Sequence, residues 1–162
     1  KACQACAELG VWMINVHALG GIRMMDAARK ALEQYGSDKP FLIAVTVLTS
    51  FTQEELTGIG INHPVIEQVQ NLALLASEAG LDGVVSSAHE VEVIKHSCGN
   101  KFITVTPGIR LSDNSKDDQS RIMTPLQAIK EGSDYLVIGR PITQASNPSG
   151  VISEILSEIA VS

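Results

Sequence analysis

The chain has 162 residues, of which 44% are hydrophobic and 19% charged, the make-up of one globular domain with a core rather than of a disordered chain. Its net charge is −6 and its pI near 5.1, with no basic cluster, so nucleic acid is not an expected partner and an anion must be held by a few placed groups. No apolar run reaches the ~18 residues of a membrane span, and the first residues are not a charged stretch followed by a hydrophobic signal core. No membrane association is therefore expected, and the cytoplasm is the simplest location.

Residues 1–9 have helical character and stop at Gly10. They contain Cys3 and Cys6 as C-x-x-C, but no second C-x-x-C or close histidine pair completes a metal site, so no metal is predicted. The pair reads instead as small hydrophobes on the inner stripe of the helix, and the odd set with Cys98 suits a reducing compartment. Residues 11–16 form the first apolar run, and residues 24–35 a helix closed by Gly36. The second run covers residues 41–48. Residues 64–79 place Val65, Ile66, Val69, Leu72, Ala73 and Ala76 on one helical stripe, with Gly80 as the stop. The third and fourth runs are residues 83–85 and 102–106. Thr124 before Pro125 predicts an N-cap and first helical position, with Gly132 at the far end. The fifth run, residues 135–138, is unbroken and apolar, which predicts a strand buried on both faces of a parallel sheet. A last helix carries Val151, Ile152, Ile155, Leu156 and Ile159 at helical spacing.

Helices and apolar runs thus alternate without a visible linker, giving one domain over residues 1–162 built on a parallel sheet. Two architectures fit: a five-stranded doubly wound sheet, or five of the eight units of a (β/α)8 barrel. Both gather ligands beyond the carboxyl ends of the strands. There the chain reads NVHALGG (residues 15–21), TVLTS (46–50), SSAHE (86–90), TPGIR (106–110) and GRPITQ (139–144). Arg110 and Arg140 close two consecutive runs, each shortly after a glycine. Two guanidinium forks at neighbouring strand ends suit a phosphate dianion, against the bland reading that each pairs with a surface carboxylate. Gln119 lies in LSDNSKDDQSRI (residues 111–122), a long polar connection that reads as a lid or as a solvated loop. His17 can face substrate, support other groups, or be a satisfied core histidine. His89 and Glu90 lack the second histidine of a metalloprotease motif, and His63 and His96 read as surface residues.

INVHALGG, LIAVTVLTS, LDGVVSSA, VTPGIR, DDQSRIMTP and DYLVIGRPIT together resemble the bacterial type of the orotidine 5′-phosphate decarboxylase family, in order and over essentially the whole chain. The resemblance implies a (β/α)8 TIM barrel of which this chain supplies strands 4 to 8. It implies a homodimeric carboxy-lyase of pyrimidine (UMP) biosynthesis that converts orotidine 5′-monophosphate to uridine 5′-monophosphate and CO2 with neither metal nor organic cofactor. Carried over by motif, Thr49 resembles the pyrimidine-side contact. Pro107, Arg110, Gln119, Gly139 and Arg140 resemble the other substrate contacts, with His17 and Ser50 as support. The family's D-x-K-x-x-D motif, source of the general-acid lysine and its aspartates, does not occur in the chain, and the resemblance puts it upstream of Lys1. No catalytic residue is therefore expected within these residues, and the piece alone is expected to be inactive. The alternatives are a non-catalytic phosphate-binding α/β domain and another phosphate-sugar barrel enzyme, such as a hexulose-phosphate synthase relative.

Overall fold

The structure is a computed structural model and describes residues 1–111 and 123–160. In chain order it comprises α1 (Ala2–Glu8), β1 (Met13–His17), α2 (Gly21–Leu32), β2 (Phe41–Val45), α3 (Gln53–Gly58), α4 (Val65–Glu78) and β3 (Gly83–Val85). There follow α5 (Val91–Cys98), β4 (Ile103–Thr106), α6 (Pro125–Lys130), β5 (Tyr135–Leu136), α7 (Arg140–Thr143) and α8 (Pro148–Ala160). The start of α6 follows the sequence expectation: the Thr124 side chain accepts from the Gln127 amide, Gln127 reaches back to the Thr124 amide, and Pro125 opens the helix.

All five strands are parallel and lie in the order β1-β2-β3-β4-β5. A doubly wound sheet would reverse direction at a switch point, and this order has none. Right-handed crossovers that always step the same way put every helix on one face, as in a barrel. On that face Ile14, Leu42, Ala44 and Val84 are buried with Met25 and Leu32 of α2 and with Val69, Leu72, Ala73 and Ala76 of α4. Cys3, Cys6 and Cys98 pack half-buried against the same core, and burial pushes the Cys98 thiol above its ordinary pKa.

The other face is concave. Four inter-strand gaps of about 4.8 Å would keep the outer strands of a flat sheet roughly 19 Å apart. The rings of Trp12, at the entry to β1, and Tyr135, which opens β5, nevertheless meet at 5.0 Å, so the sheet must roll to bring its first and last strands face to face. At the seam between β3 and β4 the backbones approach so closely that a Cβ on Gly83 would lie 2.1 Å from the Ile103 carbonyl oxygen.

Three expectations change. The run at 135–138 is not buried on both faces: only Tyr135 and Leu136 pair, on one side, and Tyr135 and Val137 are 39% and 50% exposed on the concave side. β5 is an edge strand among the described residues, and barrel-facing side chains are as apolar as helix-facing ones. Ile66, Ile152 and Leu156 are exposed rather than inward, because the buried stripes are narrower than the apolar content of their helices. Finally, α3 and α7 were not anticipated; both are short and polar enough to lack a periodic stripe.

Candidate phosphate and nucleotide site

Two aspartates at the amino ends of strands fix the sheet beneath the site. Asp82, just before β3, accepts the Leu42 amide of β2 through Oδ2 at 2.7 Å. Asp134, just before β5, repeats the device on β4: its Oδ2 accepts the Thr104 amide at 2.7 Å, the Thr104 hydroxyl at 3.0 Å and Lys95 Nζ at 2.6 Å. One step up, the buried hydroxyls of Thr106 and Ser133 are 2.8 Å apart. The strand pair that leads to both candidate arginines is therefore tied by polar groups along its length.

At the carboxyl end of β4 the chain turns through Pro107 and Gly108, whose φ of 80° favours glycine. That turn brings Ile109 into a parallel bridge with Met123, and the Arg110 amide donates to the Met123 carbonyl at 3.1 Å. The two ends of the connection holding Gln119 are thus pinned together at its base; Gln119 itself lies outside the described residues. Arg110 is only 6% exposed, and one of its terminal nitrogens donates to the Ile109 carbonyl at 2.9 Å. A guanidinium so withdrawn from water is costly unless anionic or carbonyl oxygens meet its remaining donors.

Beside it, β5 runs into Gly139, and Arg140 begins α7 with Gly139 as its N-cap. The Gly139 carbonyl accepts from the Ile142 and Thr143 amides and from the Thr143 hydroxyl, which turns the chain sharply after the strand. Arg140 and Pro107 are half-buried. Thr49 is buried after β2 with Ser50 exposed next to it, and His17 ends β1 exposed on the concave side, not as a core histidine. The structure thus puts the ends of β1, β2, β4 and β5 on one rim, with Arg110 and Arg140 following strands that are paired neighbours.

Sequence reasoning placed Ser86, Ser87 and Glu90 at the end of the third run but gave them no role. Glu90 is buried and accepts the Ser87 amide at 2.7 Å, while Ser87 caps the turn that leads into α5. The S-x-x-E spacing was a readable capping-box signal, obscured by the metal-like look of His89 and Glu90. Among the described residues no cluster of histidine, cysteine or carboxylate side chains could hold a metal ion. Farther off, Lys30 and Arg29 beside Asp26 on α2 hold its carboxyl below the usual range.

A sequentially ordered parallel sheet, helices on its convex face and loops bearing Arg110 and Arg140 at its carboxyl rim define part of a (β/α)8 barrel. Residues 1–155 match the family model described as "Orotidine 5′-phosphate decarboxylase / HUMPS family", and the chain belongs to that family. It is 68% identical over 159 residues to an orotidine 5′-phosphate decarboxylase of Legionella pneumophila (strain Paris), covering 98% of this chain and 69% of that one. It is 58% identical over 161 residues to the enzyme of that name from Shewanella sediminis, covering 99% and 69%. Among solved structures, orotidine 5′-phosphate decarboxylase from Lactobacillus acidophilus superimposes with a TM-score of 0.83 at 38% identity, over 98% of this chain and 67% of that one. An uncharacterized conserved protein from Geobacillus kaustophilus gives 0.82 at 39% identity, over 98% and 68%.

Proposed function

We propose that this chain is the nucleotide-holding part of an orotidine 5′-phosphate decarboxylase, which converts orotidine 5′-monophosphate to uridine 5′-monophosphate and CO2 in pyrimidine biosynthesis. The observation that carries the reading is a buried arginine, Arg110, just past β4, beside the strand that delivers Gly139 and Arg140. In this reading residues 1–162 act as one domain. Arg140 and the Gly139 backbone hold the phosphate, Gln119 closes over it, and Arg110 positions that connection and the nucleotide. Thr49 and Pro107 border the pyrimidine, and Ser50 and His17 support it.

Phosphate is remote from the carbon that loses CO2. Its binding energy aids the reaction by fixing the pyrimidine where charge develops. The carbanion left behind needs a positioned cation that also gives a proton, and the family's D-x-K-x-x-D motif, absent from residues 1–162, is the source this reading assigns to it. The active form is read as a cytoplasmic homodimer with no nucleic-acid partner. Exposed Leu19, Leu48, Ile59 and Ile66, in the segments after β1 and β2, support an apolar contact between subunits.

Arg140→Ala in the full-length protein tests the assignment. One charge-assisted hydrogen bond is worth roughly 1.5–3 kcal/mol, so kcat/KM should fall by about 10- to 150-fold. Lysine should restore part of the loss, since it returns the charge but not the fork. Unchanged kinetics in the alanine variant would remove Arg140 from the site. Tighter binding of pentose phosphates than of uridine 5′-monophosphate would favour a hexulose-phosphate synthase type of activity instead.

A further inference from the structure

We propose that Trp12 is a positioning residue for the phosphate end of the site, acting through Tyr135; the proposal rests on the phosphate assignment above. The chain is poor in aromatics, with one Trp, two Tyr and three Phe, yet three of these six meet on the concave face. Trp12 stands edge-on to Phe41 at 5.7 Å and 85°, and edge-on to Tyr135 at 5.0 Å and 75°. Phe41 opens β2 and Tyr135 opens β5, so the chain of rings crosses the inside of the sheet and bypasses the ladder through β3 and β4.

β5 has particular need of such a tie. It pairs with β4 over two residues, and its ladder lies on one side only among the described residues. Its backbone hold on β4 continues to the Val137 amide, which donates to Thr106, and Gly139 follows two residues later. Asp134 fixes the height of the strand on its helix-facing side, while the Trp12 ring abuts it on the concave side. Moving Tyr135 inward or outward by a fraction of an ångström would be passed on toward Gly139 and Arg140, because only Leu136, Val137 and Ile138 stand between and the Val137 amide is bonded to Thr106. Aromatic edge-to-face contacts are directional enough for this, and an aromatic ring at position 12 meets the opposite strand edge-on where an aliphatic side chain would not.

The test compares uridine 5′-monophosphate with uridine as titrants of the full-length protein, in the natural form and as W12A, W12L, W12F and R140A. Loss of the ring contact should weaken nucleotide binding by about 3- to 10-fold in W12A and W12L, with uridine affinity unchanged and W12F recovering most of the loss. W12L preserves apolar bulk and carries the same prediction if W12A does not fold. Equal loss for nucleotide and nucleoside would mark general damage to the barrel and overturn the proposal. So would natural nucleotide affinity in the Trp12 variants alongside weakened binding in R140A. Natural affinity in R140A would overturn the phosphate assignment itself, and the role of Trp12 with it.

Discussion

The two parts of the sheet are held in different ways. From β1 to β3 the helix-facing residues are Ile14, Leu42, Ala44 and Val84, packed on α2 and α4 in the larger core. From β4 onward the same face turns to hydroxyls: Thr104 and Thr106 are wholly buried, and their partners are Asp134, Gly132 and Ser133. The apolar cluster there is small, built on Ala88, Ile109 and Ala128. Apolar burial contributes most of the stability but is non-directional, whereas hydrogen bonds hold atoms at fixed distances and angles. The part that bears Arg110 and Arg140 is thus the part fixed by directional contacts, which is what the proposed anion site, with its few charges, requires.

The seam between the two parts is the most sensitive point. Gly83→Ala would drive a methyl group into the Ile103 carbonyl and Cβ, at 2.1 and 2.6 Å, and should destabilise the full-length protein by about 3 kcal/mol or more in urea unfolding. A G83A protein of natural stability would mean that the parts are not rigidly joined there. The paired aspartates then sharpen the contrast. Asp134→Ala strands the Thr104 amide and hydroxyl and releases Lys95, and should cost about 2–3 kcal/mol. Asp82→Ala loses the Leu42 amide bond and a looser contact to Lys39 at 3.7 Å, and should cost about 1 kcal/mol. Equal losses would erase the distinction drawn here.

The smallest effect is expected at Ser86, whose hydroxyl is buried between the two parts with no hydrogen-bond partner among the described residues. Ser86→Ala removes an unmet polar group and should leave stability unchanged or raise it by about 1 kcal/mol. A clear loss would show that the hydroxyl serves a group other than the described ones.

The strands, the alternation and the rim residues were legible in the sequence because each apolar run gives way to a polar residue, a proline or a glycine: His17, Thr49, Ser86, Pro107 and Gly139. The choice between an open sheet and a barrel was not legible from residue pattern, since both share the same alternation; strand order decides it, and pairing is a non-local property. The Asp82 and Asp134 corners were hidden for a similar reason. G-L-D-G and G-S-D-Y look like ordinary turns until the preceding strand's amide is seen to lie beneath the carboxylate. Trp12 was read only as part of the apolar run 11–16, whereas β1 begins at Met13, and an isolated aromatic has no periodicity to mark its partners. The exposure of Ile152 and Leu156 shows the opposite error, in which apolar spacing suggested more burial than α8 provides.

The sequential strand order also bears on how the molecule forms. Gly83 pairs with Ile43, 40 residues before it, and with Ile103, 20 residues after it. Doubling a loop adds only about 0.6 kcal/mol to its closure, so neither pairing is strongly ahead of the other. Each strand can dock on its predecessor as soon as the intervening helix is made, without waiting for a distant partner. The strands are synthesised in the order in which they lie, so β5, Gly139 and Arg140 join a sheet whose other described strands can already be in place.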